Sequence, residues 1–366
     1  MDGFPAHSFF LKGDFMTESS LKQNRVVYFD LLRIAAIYAV VVIHIVSQLW
    51  YEAGVTSFDW IVSTAYNSAS RWAAPVFVMI SGALFLSRDK IDYKVFYRKN
   101  VLRLAVALVF WSAVYALARF LLDDHSVKAL IMNFAIGEYH IWFIKMMLGV
   151  YIALPIIKKL SEDERVLRFT IAVIFTVSSV FSQAVTFLPI SEENAEKVFG
   201  DFTDVLSFSV YIGYFLLGYY FSKTDIKKNI RVMLYACGAA SVVIIFAVTA
   251  FMSASRNEVY KLFIEYENIF VAISACAVFV FAKYSKLPEK LSDSKKNTIF
   301  KLSKYTFGAY LVHVGVLIVL DKFAALNVNS YTPLLSVPLN SLLVLLISML
   351  ASLVLNKIPI VKKYIV

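Results

Sequence analysis

Charge and sulfur are both scarce in this chain. Of 366 residues only 17% are Asp, Glu, Lys or Arg, and only two are cysteine. Cys237 and Cys276 each sit in an apolar run, with no spacing that suits a disulfide framework or a metal knuckle, so both read as small packed side chains. There is no Walker-type glycine loop, no GxGxxG ahead of a strand, and no His-x3-His or cysteine cluster with metal spacing. These absences argue against nucleotide hydrolases, dinucleotide oxidoreductases and the common metalloenzymes, and no metal is expected. Ser81-Gly82 in MISGAL is no nucleophile elbow, because its context is an apolar helix; it reads as a close helix contact. The opening MDGFPAHSFFLKGDFMTESSLKQN lacks the basic flank, apolar core and small-residue cleavage site of a secretory leader. Residues 1–25 are expected to form a flexible cytoplasmic tail, with Met16 as an alternative start, and no soluble domain is expected on either side of residues 26–366.

What the chain has in quantity is apolar surface. Sixty per cent of residues are hydrophobic and the mean hydropathy is +0.69, more than a water-soluble domain of this length can cover. The apolar runs recur at membrane-crossing length between charged breaks. They predict an all-α polytopic membrane protein of about ten helices, near 26–50, 72–87, 101–121, 140–157, 168–188, 206–222, 232–252, 262–282, 303–321 and 333–356. The second, fourth and sixth runs are short, which suits helices that tilt little or break inside a bundle. With both termini placed in the cytoplasm, 27 of the 36 basic residues fall on the cytoplasmic side. The net charge of +10 is therefore a topology signal and not a nucleic-acid footprint. The opposite connections are acidic, as in SEENAEKVFGDFTD over residues 191–204.

Ionisable side chains inside apolar runs cost about 2.5–3.5 kcal/mol each on an insertion scale, so they mark function or a partner. Arg33 and His44 share the first helix, in DLLRIAAIYAVVVIH. Eleven residues at 100° return to within about 20° of the same direction, and the axial separation is about 16.5 Å. Asp30 lies one turn before Arg33 on the same face and can pair with it. One stripe thus runs carboxylate, guanidinium, imidazole, the last about 25 Å past the start of the helix and so in its outer half. Such a pair suits a ligand with an anionic head and a reactive far end. Arg33 would fork onto phosphate, and His44 would act as a base near neutral pH. Extended acyl-coenzyme A has that shape.

The chain resembles the acyltransferase-3 family of integral-membrane O-acyltransferases, in particular its bacterial surface-polysaccharide branch. The resemblance rests on DLLRIAAIYAVVVIH with its Arg-x10-His spacing, SRWAAPVFVMISGALFL at 70–86, EYHIWFIKMMLGVYIALPII at 138–157, FGAYLVH at 307–313 and the tail KIPIVKKYIV. It spans residues 26–366 as one acyltransferase domain. It implies an enzyme of the bacterial cytoplasmic membrane that moves an acyl group, expected to be acetyl, from acyl-coenzyme A to a hydroxyl of a surface glycan or its lipid-linked precursor. Arg33 and His44 would be its essential pair, His44 as general base or as the carrier of an acyl-imidazole relay. The family's Arg-x2-Arg motif falls on YRKNVLRL, where Asn100 replaces the first arginine; Arg98 or Lys99 would then join Arg103 at the coenzyme A phosphates.

Further residues belong to the acceptor side or to packing. Arg71 opens the second expected helix on the outer side, as an interface anchor or as a contact for an anionic acceptor or pyrophosphate. His140 and Trp142 begin the fourth; the tryptophan is an interfacial anchor or a sugar platform. Glu138 would not share the helical face of His140. Lys145 reads as a buried lysine with a partner or a cavity. Tyr310 and His313, one turn apart, would orient His44, line an acceptor tunnel, or form a packed pair. An exporter of polysaccharide or lipid-linked sugar is the alternative from another class, although the internal repeat expected of a transporter is not visible. An acyltransferase acting on amino acids or peptides is a second alternative.

Overall fold

The computed structural model describes residues 26–123, 125–186, 188 and 192–366, and the tail expected over 1–25 lies outside the described residues. Among those described, every regular element is helical. Nine helical stretches are long and apolar enough to cross a membrane, and ten if one bent pair counts as a span. The first is α1 (Val27–Trp50). It is followed by α2 (Phe58–Ser70) and α3 (Ala73–Leu86), then α4 (Leu102–Leu122), α5 (Val127–Ile136), α6 (Trp142–Ile152) and α7 (Leu154–Leu160). The rest are α8 (Glu164–Thr186), α9 (Glu192–Lys223), α10 (Lys228–Arg256), α11 (Ile269–Tyr284), α12 (Asp293–Ala324), α13 (Pro333–Leu355) and the short α14 (Pro359–Tyr364).

The second span differs from its sequence expectation of 72–87. It begins at Phe58, and α2 and α3 together make a 29-residue crossing, Phe58–Leu86. Its first half is polar, yet Ser63, Thr64, Asn67, Ser68 and Ser70 are buried within the bundle. Thr64 and Ser68 donate to the carbonyls of Trp60 and Thr64 one turn back. Hydroxyls satisfied by their own helix cost little at membrane depth, and a hydropathy reading overlooks them. Arg71 consequently lies midway along a span and not at its outer edge.

The fourth span is broken. Helix α5 occupies what the sequence reads as a plain connection, and the α5–α6 stretch meets α7 at a 63° bend. Pro155 stands just past the break, where it lacks an N–H and crowds the preceding turn.

Helix α1 sits centrally, in contact with α2, α3, α11, α12 and α13. Helices α3 and α9 cross at closest range: a methyl added at Gly82 would stand 1.8 Å from the Phe215 carbonyl oxygen, and one at Gly218 would stand 1.9 Å from that of Met79. Small residues at reciprocal positions let the two backbones touch, as the sequence reading of Gly82 expects. Helices α8 and α10 are peripheral and turn large apolar side chains outward, among them Phe169, Val180, Val243 and Phe251. Lipid is the solvent that such a surface fits.

Several lysines serve helix ends. Lys158 donates to the carbonyls of Leu86 and Arg88, and Lys283 to those of Phe221 and Thr224. Lys145 does the same for Ile136 at the end of α5, at 2.5 Å. Final-turn carbonyls lack intrahelical donors and carry partial negative charge, so an ammonium from a neighbouring helix satisfies both.

Candidate functional site

A cavity of about 1080 Å³ runs through the bundle beside α1, lined at one end by Arg33, Ser81, Tyr151 and Thr306 and farther along by His44, Arg71, His140, Trp142 and Tyr310. Arg33 is partly exposed to it and pairs with Asp30 at 3.1 Å. Asp30 is buried and also accepts the Ser303 hydroxyl of α12 at 2.7 Å. The carboxylate thus aims the guanidinium. His44 lies three turns on along the same face, about 16.5 Å away by helical rise.

Around His44 the fold gathers histidines from three separate elements. Its ring centroid is 5.0 Å from that of His313 on α12 and 6.5 Å from that of His140, which leads into α6; His140 and His313 are 5.1 Å apart. His313 Nδ1 meets the Tyr310 carbonyl at 2.5 Å. A carbonyl only accepts, so Nδ1 carries the proton and Nε2 presents a lone pair. That Nε2 is buried without a hydrogen-bond partner. His140 is buried too, with neither ring nitrogen in a well-formed hydrogen bond; the Leu311 carbonyl beside it accepts the Tyr115 hydroxyl at 2.7 Å. The Tyr310 hydroxyl donates to the His140 main-chain carbonyl and so ties α12 to the start of α6. Glu138 is held by a two-point contact from Arg119 of α4, at 2.9 and 3.1 Å, which fixes the approach to Tyr139 and His140.

Arg71 shares the depth of His44. Trp50 Nε1 donates to Thr64 Oγ1 at 2.8 Å, which sets those two turns level. Arg71 and His44 each lie about 10 Å further in from that level, by 1.5 Å per residue. Arg71 is buried; its Nε donates to the Ile264 carbonyl at 2.6 Å, its terminal nitrogen faces Glu265 at 3.6 Å, and its guanidinium lies 4.8 Å over the Tyr266 ring. These partners come from the connection between α10 and α11, which folds into the bundle and buries Tyr260, Phe263, Ile264, Tyr266, Glu267 and Asn268.

Other sequence candidates stand elsewhere. Arg98 and Lys99 are exposed on a π-helical turn ahead of α4, off the cavity wall. Arg103 donates to the backbone oxygen of Val366 and lies over Phe307, so its guanidinium holds the segment after α14. Arg33, Arg103 and Arg88 all lie within electrostatic reach of Tyr151 at the Arg33 end. Lys145 is exposed and not buried as its sequence position suggests, because α6 turns it toward the end of α5. Residues without a sequence signal join the wall instead: Gln48, Asn67, Tyr139, Tyr211, Glu265, Tyr266 and Glu267. The run IEYEN at 264–268, two carboxylates flanking a tyrosine after an apolar pair, is the one trace in the sequence.

Among the described residues no group of three or more His, Cys, Asp or Glu is arranged to hold a metal ion, the clustered histidines included. Fold and cavity together define a multi-pass membrane protein whose bundle encloses a cavity with an arginine near one end and imidazoles at depth. Its sequence matches the acyltransferase-3 family profile, described as an acyltransferase domain, over residues 26–357, and the chain belongs to that family. No curated protein and no solved structure matches it significantly. Family membership favours the enzyme over the exporter: this is a membrane acyltransferase.

Proposed function

We propose that the protein transfers an acyl group, most simply acetyl, from acyl-coenzyme A to a hydroxyl of a cell-surface polysaccharide or its lipid-linked precursor, in the bacterial cytoplasmic membrane. Residues 26–366 act as one unit with both termini in the cytoplasm, as the distribution of basic residues supports. The observation that carries this reading is the single cavity joining Arg33 to His44. The donor's phosphates take the Arg33 end, with Arg88 and Arg103 adding positive potential there. The thioester then extends along the α1 face toward His44.

His44 removes the proton from the acceptor hydroxyl as its oxygen attacks the thioester carbonyl. The tetrahedral intermediate collapses with loss of the carbon–sulfur bond, and the thiolate takes the proton back from the imidazolium. No further reactant is needed, since a thioester is already an activated donor. The His313 ring packs 5.0 Å from that of His44, and its bare Nε2 accepts a hydrogen bond from the protonated form. An acyl-imidazole on His44 gives the same net reaction in two steps.

The test uses membranes from cells producing wild type or His44→Ala at equal levels, given acetyl-coenzyme A labelled in the acetyl group. Label should enter glycan with the wild type and fall about a hundredfold to ten-thousandfold with the variant. Equal labelling by both proteins would remove His44 from the chemistry. No labelling by either would remove the donor and acceptor classes.

A further inference from the structure

We propose that Trp142, Tyr211 and Tyr266, with Asn67, Gln48 and Glu265, form the acceptor subsite, and that it takes a pyranose without carboxylate or phosphate substituents. This deepens the preceding section and rests on its assignment of a glycan acceptor.

The first ground is a platform. Trp142 stacks on Tyr266 at 5.6 Å and 30°, and Tyr211 closes the group at 5.7 Å from Trp142 and 6.1 Å from Tyr266. All three line the cavity. Pyranose rings present C–H faces to such surfaces, and the aromatic faces supply large contact at small entropic cost.

The second ground is a pair of unanswered acceptors. Asn67 is 4% exposed, and its Oδ1 has no hydrogen-bond partner. Gln48, one turn beyond His44 on α1, has an unpartnered buried Oε1. Both residues line the cavity. A buried carbonyl oxygen needs a donor. Sugar hydroxyls are donors, whereas carboxylates and phosphates bring acceptors only.

The third ground is charge. Arg71 would be the natural anchor for an anion, but the Ile264 carbonyl and Glu265 occupy it. Glu267, on the same wall, accepts from Ser207 and adds a second acidic side chain. Of the other cations on the wall, Arg33 lies at the opposite end paired with Asp30, Arg119 is held by Glu138 and Asp123, and Lys261 is also engaged. Asp321 adds another carboxylate to the lining. An anionic sugar would meet two acidic side chains, Glu265 and Glu267, around one neutralised guanidinium.

The test takes the full chain in lipid nanodiscs, with labelled acetyl-coenzyme A as donor and an envelope glycan extract from the producing cells as acceptor. The acetylated residue is identified by mass spectrometry after hydrolysis. It should be a neutral or amino sugar. Trp142→Phe and Asn67→Ala, each eluting as a single species like wild type, should raise the acceptor KM at least tenfold with a smaller change in kcat. Label found on a uronic or phosphorylated sugar overturns the subsite, as does an unchanged acceptor KM in both variants. If the wild type transfers no label at all, the acyltransfer reading of the previous section has failed, and the subsite with it.

Discussion

The two ends of the cavity are built in different ways. At the Arg33 end the wall carries one guanidinium, steadied by Asp30 and through it Ser303, with Arg88 and Arg103 behind the wall near Tyr151. Around Trp142 and His44 the wall is crowded: imidazoles, an aromatic trio, two amides and a compensated arginine, drawn from six stretches of chain. Fixed positive charge with little else suits a ligand whose recognition lies in its phosphates. Many short contacts suit one that must be turned until a particular hydroxyl meets a base. The contrast implies that damage at the crowded end should appear in kcat and acceptor KM, and damage at the sparse end in donor KM.

The largest effect that would break this contrast concerns His313. Removing its ring takes away the imidazole packed beside His44 and the acceptor for its protonated form, so His313→Ala should lower kcat about a hundredfold while donor KM stays within threefold. His313→Gln, which restores an acceptor, should recover part of the loss and shift the pH–rate profile. A loss shared equally between kcat and donor KM would mean that the histidine cluster is only packing.

Next in size is Arg33→Ala. Loss of a charged hydrogen bond is worth about 1.5–3 kcal/mol, so donor KM should rise about tenfold to a hundredfold with acceptor KM unchanged. Arg33→Lys should fall between, since a point charge replaces a fork. A rise in acceptor KM instead would merge the two ends into one site.

How much of this was legible in the sequence follows from which contacts are local. Arg33 and His44 share a helix, so helical periodicity alone puts them on one face, and Asp30 with them. Tyr310 and His313 are legible as a pair for the same reason. That His44, His140 and His313 converge is a tertiary fact, carried by the packing of α1, α6 and α12, and no spacing in the chain announces it. Arg71 reads as an outer-edge residue because the serines and threonines of α2 lower its hydropathy, although they bond their own backbone. Lys145 shows the converse limit. Hydropathy reports that a segment crosses, but not whether a given face meets the cavity or a neighbouring helix end. The IEYEN run falls at the start of the eighth expected span, and only the structure shows it as a connection ahead of α11 that folds inward.

The smallest expected effect sharpens the comparison at the rim of the crowded end. Asp123, beyond the end of α4, accepts from Lys322 of α12 at 2.6 Å and from Arg119 at 3.1 Å, while Arg119 also holds Glu138. One carboxylate therefore links α4, α12 and the approach to His140. Its hydrogen bond from Lys322, then that from Arg119, holds the carboxyl below its ordinary range. A depressed folded value means that the stabilisation is present above the ordinary carboxylate range and is lost as the pH falls through the lowered value. The side chain is 39% exposed, so the contribution should be no more than about 1 kcal/mol. Asp123→Asn should melt slightly below wild type at pH 7 in detergent, and the two curves should converge as the pH falls toward 3. Other carboxylates titrate in both proteins, so only the difference between them reports Asp123. Melting curves that stay parallel across that range would show that the rim is held by Glu138 and Arg119 without Asp123.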